Sequence, residues 1–205
     1  MMYNEDTLYL FGGEAMKKST VLLVGVATII GIFLIMSVSM YNKFVQAEET
    51  IDGQWAQVEN QLQRRFDLIP NLVNTVEGYM QHEREIFENI ASARSAYSSA
   101  TTVEEQSAAN DSLSASLSEL LVIVENYPTL KADVQFTRLM DELAGTENRL
   151  SVARKDYNDA VQSYNSDVRR FPGNVVASVF GFEKRDYFKI EEGVAENPTV
   201  DFGGE

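Results

Sequence analysis

Histidine is the side chain best suited to proton transfer or metal binding at neutral pH, and the chain contains one, in the pair His82-Glu83. A zinc protease helix of this kind needs a second histidine one turn after the first, and that position is occupied by Ile86. The chain has no cysteine, which excludes disulfides, thiolate metal sites and a cysteine nucleophile. The sequence therefore predicts no catalytic, cofactor or metal site, and it predicts a surface or capping role for His82.

A first polar group stands beside a predicted boundary between two helices. It consists of Arg64, Arg65, Asp67 and Asn71. One interpretation is a contact patch for a partner or for a second copy of the chain. The other is local: Asp67 caps the following helix, and the arginines neutralise the carboxyl end of the preceding one. Capping accounts for most of the pattern.

A second polar group interrupts the apolar stripe of a long predicted helix. Its members are Glu147, Asn148, Arg149 and Arg154, with Thr146 and Asn158 beside them. Spacings of three, four and seven residues bring several of these side chains onto one helix face. They form either a buried hydrogen-bonded layer that fixes the register of a bundle or oligomer, or an exposed face with ordinary ion pairs.

The elements that must position these groups begin with residues 19–42, a run without a single charge. At about 1.5 Å per residue such a helix measures roughly 36 Å, enough to cross a hydrocarbon core of about 30 Å. A cleaved signal peptide ending near residues 45–47 is the rival interpretation, but its apolar region would span only about 7–15 residues. Residues 19–42 therefore predict a retained transmembrane helix, with residues 1–18 as an N-terminal extension and Met16 as an alternative start.

The lysines around this run indicate its orientation. Lys17 and Lys18 precede it, whereas Lys43 is soon followed by Glu48 and Glu49. Basic residues favour the cytoplasmic side of a membrane. The sequence therefore predicts a single-pass protein of the cytoplasmic membrane with its N-terminus inside, and the reversed topology remains the alternative.

Residues 43–188 show apolar residues at spacings of three and four, which is typical of amphipathic helices. Trp55 falls on the first such stripe and is predicted to anchor the core. A helix break is predicted at residues 65–68, and the alternative is one long helix kinked at Pro70. The fold class is thus all-α: an N-terminal transmembrane helix, an antiparallel four-helix bundle with long helices, and a short C-terminal helix. Residues 189–205 are predicted to be a mobile acidic tail.

An even number of antiparallel helices returns the chain to the membrane near Phe171. The segment that follows is apolar and aromatic, and it has two interpretations. It inserts shallowly among the headgroups, or it folds over the end of the bundle core. Its candidate residues are Phe171, Val175, Val176, Val179, Phe180 and Phe182.

Several segments resemble the LemA family of bacterial membrane proteins. They are residues 61–73 (QLQRRFDLIPNLV), 125–132 (ENYPTLKA), 142–149 (ELAGTENR) and 170–172 (RFP). The resemblance implies a single N-terminal membrane helix, a four-helix bundle and a bacterial origin, and it supplies no catalytic residues. The family includes a relative found in magnetosome membranes, so the resemblance implies a role in shaping or organising membrane, or in assisting neighbouring membrane proteins.

The functional prediction combines these observations. A net charge of -14 argues against nucleic acid as a partner, because phosphate binding needs concentrated Lys and Arg. The leading hypothesis is a non-enzymatic membrane-anchored scaffold, without cofactor, that self-associates as a homo-oligomer and organises or remodels the lipid bilayer. The alternative is an adaptor that presents its bundle to an envelope partner such as a membrane protease or transporter.

Overall fold

The structure is a computed structural model that describes residues 6–80 and 83–189, with side chains described from residue 19 onward. Within these ranges every regular element is an α-helix, and the predicted all-α class is confirmed. The helices are α1 (Asp6–Glu77), α2 (Arg84–Ser99), α3 (Val103–Val124), α4 (Pro128–Lys131), α5 (Val134–Arg169) and α6 (Gly173–Phe180). Residues 6–18 of the predicted extension form the first part of α1. Three parts of the chain lie outside the described residues: residues 1–5, the segment with His82, and residues 190–205 of the predicted tail.

The predicted helix break at residues 65–68 is wrong, because α1 continues through this segment with Pro70 inside it. A proline inside a helix removes one backbone hydrogen bond and costs about 3 kcal/mol or more. The side chains around it are buried, however, and each contributes about 1.5–3 kcal/mol. They are Phe66, Leu68, Ile69, Leu72 and Val76. Burial along this face outweighs the local cost of Pro70, and the chain leaves the helix only after Glu77.

Helices α3 and α5 begin where local hydrogen bonds define a start. Thr102 accepts the N–H of Glu105 at 3.2 Å, and the Glu105 carboxylate accepts the N–H of Thr102 at 3.1 Å, which completes a capping box for α3. Immediately before α5, the Asp133 carboxylate accepts a hydrogen bond from the N–H of Phe136, in the first turn of the helix, at 2.9 Å. A turn at Ala132 separates the short helix α4 from α5.

The chain forms two compact units. Of the described residues, we call 6–47 and 167–183 the anchor unit, and 48–80, 83–166 and 184–189 the body. In the body, α1 and α5 are antiparallel, because Glu48 on α1 accepts a hydrogen bond from Tyr164 at 3.2 Å while Arg64, further along α1, forms a 3.1 Å ion pair with Glu142, earlier in α5.

Helices α2 and α3 also pack in the body. The rings of Phe66 on α1 and Tyr97 on α2 stack with their centroids 4.1 Å apart, and α2 packs against α3. Arg65 on α1 contacts Asn110 on α3. These contacts agree with a four-helix bundle, and a closed antiparallel bundle stays a prediction.

The anchor unit is built differently. Among the described residues, only α1 is long and apolar enough to cross a membrane, through the part that belongs to the anchor unit. The apolar side chains of this part are exposed. Helix α6 packs beside the end of that apolar run. Gly173 is required there, because a Cβ atom at this position would lie 2.3 Å from the carbonyl oxygen of Asp167 and 3.2 Å from the ring of Phe44.

Candidate functional site

The predicted contact patch is divided by its position on α1. Arg64, Asp67 and Asn71 are exposed, whereas Arg65 is buried. Asp67 lies inside α1, where it accepts a hydrogen bond from Gln63 at 2.8 Å, so that it caps no helix. The structure therefore keeps three of the four side chains at the surface and directs the fourth into the body.

Arg65 is the centre of a buried polar network that joins three helices. Its Nη1 contacts the side-chain oxygen of Asn110, donates to Ser114 at 3.1 Å and lies 2.5 Å from Oε2 of Glu147. The other carboxylate oxygen of Glu147 accepts a 3.0 Å hydrogen bond from Arg154. One carboxylate on α5 thus pairs with two guanidinium groups, and it joins Arg65 of the predicted contact patch to Glu147 of the predicted polar layer.

The electrostatics of this network are those of a structural ion pair. Burial lowers the pKa of Arg65 from its usual value, and the Glu147 carboxylate opposes that shift. Nε of Arg65 is buried without a hydrogen-bond partner among the described atoms, and Oε2 of Glu147 meets Arg65 as a charge rather than in hydrogen-bond geometry. Arginine stays protonated at neutral pH, so the network holds charge and supplies no proton donor for catalysis.

The remaining members of the predicted polar layer lie on the surface. Asn148 and Arg149 are exposed. Arg149 donates to Gln61 on α1 at 3.1 Å and to Thr146 on its own helix at 3.1 Å. The members of the predicted layer are therefore divided: Glu147 and Arg154 belong to the Arg65 network, and Asn148 and Arg149 lie on the exposed face.

An extended segment, residues 184–189, runs along α5 in the body; we call it the strap. The side-chain amide of Asn165 pairs with both the N–H and the C=O of Arg185, each at 2.9 Å. The amide of Asn158 pairs in the same way with Phe188, at 2.9 and 3.0 Å. Seven helical residues rise about 10.5 Å, and three extended residues span about 10 Å. The distance between Asn158 and Asn165 along α5 therefore matches the distance between Phe188 and Arg185 along the strap.

The side chain of Phe188 anchors the strap. It is 2% exposed, its ring centroid lies 6.2 Å from that of Trp55, and the guanidinium of Arg154 lies 5.6 Å from it. Trp55, predicted as a core anchor, is half-buried and also contacts Tyr157, with ring centroids 5.2 Å apart. Because Arg154 also binds Glu147, the strap and the polar network share a side chain.

In the anchor unit, α6 and the residues around it contact the end of the apolar run of α1. The ring of Tyr41 lies 5.1 Å from that of Phe180 and 5.5 Å from that of Phe182, and Phe44 lies 5.2 Å from Phe182. Of the six residues predicted for this segment, Val176 is buried and Phe182 is half-buried. The other four are exposed: Phe171, Val175, Val179 and Phe180.

Among the described residues, the structure contains no metal-binding cluster, and the shifted carboxyl groups have local causes. No cluster of three His, Cys, Asp or Glu side chains able to hold a metal ion occurs among residues 19–80 and 83–189. The lowered pKa of Glu105 arises from the N–H groups of Thr101 and Thr102, and that of Asp133 mainly from the N–H of Phe136. These shifts result from helix capping and indicate no acid–base pair.

These features define an all-α protein with an apolar N-terminal helix that fits a membrane anchor. The sequence matches the model of the LemA family over residues 54–202, and the chain belongs to this family. It is 25% identical to magnetosome protein MamQ 2 of Paramagnetospirillum magneticum over 194 residues, which cover 82% of this chain and 71% of the relative. It is 26% identical to protein LemA of Metamycoplasma hominis over 165 residues, which cover 78% and 72%. Neither name refers to an enzymatic activity.

Proposed function

We propose that this protein is a non-enzymatic, membrane-anchored helical scaffold that self-associates and organises or remodels the bacterial membrane. The observation that carries the proposal is where large apolar side chains lie. In the anchor unit they are exposed along residues 21–38 and again on α6, whereas the same residue types form a buried core in the body. An exposed apolar surface of this extent is typical of contact with lipid or with another apolar surface.

The exposed span also offers a face on which two copies can meet. Ala27 and Gly31 are four residues apart and lie one above the other on α1. A Cβ atom at Gly31 would meet no other atom within 4 Å, so this face is open. Small residues at this spacing let two membrane helices approach closely, and the resulting van der Waals contacts favour association. The pattern supports self-association through α1.

Gly31→Leu in the full-length chain tests this face, with Gly25→Leu as the matched control. Gly25 is equally open but points about 120° away from Gly31 around the helix. Light scattering of the purified protein in mild detergent and in nanodiscs should show assemblies that Gly31→Leu reduces and Gly25→Leu preserves. If the wild-type chain is monomeric and co-purifies with one membrane protein in a fixed ratio, the scaffold hypothesis is wrong and the adaptor hypothesis is favoured.

Electron microscopy of vesicles that carry the full-length chain tests the membrane role. We expect clustered or tubulated membranes at protein densities where Gly31→Leu leaves vesicles separate and round. If the vesicles stay round and separate with the wild-type chain, the protein does not remodel membranes, and only the anchored oligomer remains of the proposal.

The orientation is part of the proposal: the N-terminus is cytoplasmic and the body lies outside the cytoplasm. The chain has no cysteine, and Ser99 is an exposed residue at the end of α2, so Ser99→Cys introduces a unique thiol. It should react with a membrane-impermeant maleimide on intact cells. Labelling only after lysis would reverse the topology.

A further inference from the structure

We infer that α6 is a second membrane contact of this protein, a helix that lies in the interfacial layer of the bilayer beside α1 and takes lipid as its partner. The inference rests on the proposed membrane anchor and adds a surface to it. Three observations carry it: the level of α6 along α1, the division of its faces, and the charges next to it.

The level of α6 is set by aromatic contacts at the end of the apolar run. Tyr41 is the next-to-last residue of the uncharged segment 19–42 and is partly exposed. Tyrosine is enriched where hydrocarbon meets water, because its ring is apolar and its hydroxyl needs a polar partner. Since Phe180 contacts Tyr41 with ring centroids 5.1 Å apart, α6 is held at the depth of the headgroups.

Seven of the eight residues of α6 divide into three faces at 100° per residue. Gly173, Val176 and Ala177 are buried and form the packed face. An exposed apolar edge carries Val175 and Val179, four residues apart, and an exposed polar edge carries Asn174 and Ser178. A helix that faced only water would have no need of the apolar edge, and a helix immersed in hydrocarbon would not carry the polar one. Helices with both edges lie in the plane of the interface.

Basic side chains precede α6 in the chain. Arg169 and Arg170 are exposed immediately before Phe171, which is itself 82% exposed. Within residues 43–47 and 167–183 the basic residues Lys43, Arg169 and Arg170 outnumber the acidic Asp167 and Glu183, in a chain whose net charge is -14. Lys43 is paired with Asp167 at 2.7 Å. The two arginines are therefore placed to meet lipid phosphates while Phe171 enters the acyl boundary.

The position of α6 is fixed by packing at its start. The close approach of Gly173 to the Asp167 carbonyl and to Phe44 leaves no space for a side chain. At its end, Gly181 adopts a left-handed conformation with φ of 79°, and its N–H bonds the carbonyl of Ala177 at 2.8 Å. Such a cap favours glycine, because a Cβ atom strains this backbone. The apolar edge is thus presented by a helix with defined ends.

The test uses the full-length chain in vesicles of phosphatidylcholine with a minor fraction of phosphatidylglycerol. Val179→Cys receives an environment-sensitive fluorophore, and nitroxide lipids labelled at shallow or deep acyl positions quench it. Val122→Cys on α3 is the matched control, because both valines are 72% exposed. Leu34→Cys in the apolar run reports the anchor itself.

We expect the label at position 179 to lose most of its emission with shallow nitroxides and less with deep ones. The label at position 122 should keep its emission with both, and the label at position 34 should respond mainly to deep nitroxides. If position 179 behaves like position 122 while position 34 is quenched, α6 does not contact lipid, although the anchor stands. If position 34 is not quenched either, the proposed anchor fails as well.

A second copy of the chain is the competing occupant of this edge, and protein density separates the two. Contact with lipid predicts that the quenching at position 179 is independent of the protein-to-lipid ratio. Quenching that disappears as the ratio rises, together with protection from aqueous iodide, would mean that another copy covers α6 and would overturn the inference. The exposed pair Phe171→Ser and Val179→Ser should leave the helical melting curve unchanged while shallow quenching of a label at Val175→Cys declines.

Discussion

The two parts of α1 use the same residue types in opposite ways. Between residues 21 and 38 its large apolar side chains are exposed around the helix, and in the body a single stripe is buried. That stripe includes Ile51, Val58 and Leu62. A helix that is apolar all round belongs in an apolar solvent, whereas a one-sided stripe requires a protein partner. The difference shows that the environment of α1 is determined by how apolar residues are distributed around the axis.

Polar side chains differ between the two regions in the same way. In the apolar run, Thr28 and Ser37 each donate to the carbonyl four residues earlier in the same helix, at 2.8 Å. In the body, buried Asn110 and Asn165 bind groups on other segments. A polar group without water must find a partner. The anchor unit satisfies these hydroxyls locally, and the body uses its polar groups to connect elements, so substitutions should have very different effects in the two regions.

The largest expected effect is on the body, from Phe188→Ala in the strap. Removing a fully buried phenylalanine costs about 3–5 kcal/mol, and Phe188 is buried against Trp55 and Arg154. The melting curve of the full-length chain in detergent, followed by circular dichroism, should shift to lower temperature. Tyr187→Ala, at the exposed neighbouring position, should change the free energy of unfolding by about 0.5 kcal/mol or less. Equal effects of the two substitutions would mean that the strap is not part of the core.

The next effect compares two glutamates of α5 that pair with adjacent arginines of α1. Glu147→Ala leaves the buried charge of Arg65 and the nearby charge of Arg154 without their shared carboxylate. We expect a loss of about 3 kcal/mol, the lower end of the range for buried pairs, because Glu147 is partly exposed. Glu142→Ala breaks the exposed pair with Arg64 and should cost less than about 1 kcal/mol. Chemical denaturation of both variants measures the difference, and similar losses would show that the Arg65 network is solvated.

A smaller effect should follow from Asn158→Asp, which tests the pairing between α5 and the strap. A carboxylate still accepts the N–H of Phe188 but cannot donate to its carbonyl oxygen. A buried acceptor left without a partner costs about 1–3 kcal/mol. At acidic pH the introduced carboxyl takes up a proton and can donate again, so the loss should shrink as the pH falls. Asn148→Asp, at an exposed position of the same helix, should show neither the loss nor its recovery.

The all-α class and the apolar helix could be predicted because both depend on patterns within one segment, an uncharged run and a 3.6-residue period. The end of α1 could not. Asp67 and Pro70 are local signals for a helix start, and the burial of Phe66 and Leu72 against other helices outweighs them. Features that depend on interactions within one or two helical turns could be predicted, and features that depend on contacts with distant segments could not.

The candidate site shows the same limit. Arg65 reads as a surface charge beside Arg64, and its burial depends on Asn110, 45 residues away. The hydrogen bonds that Asn158 and Asn165 form with the strap go to its backbone, and backbone groups leave no pattern in the side chains of the strap. The signal that was available is the seven-residue spacing of Asn158 and Asn165, which places two amides on one face of α5.

The smallest effect should come from Phe171→Ala, the anchor-unit counterpart of Phe188→Ala. The two substitutions remove the same type of side chain, but Phe171 is 82% exposed, so its removal leaves no cavity in the core. The free energy of unfolding of the full-length chain in detergent should change by about 0.5 kcal/mol or less. The effect should appear instead in vesicles, as weaker shallow quenching of a label introduced by Val175→Cys, because the aromatic ring no longer enters the acyl boundary. A melting shift as large as that of Phe188→Ala would show that Phe171 packs within the protein and would remove the contrast between the two regions.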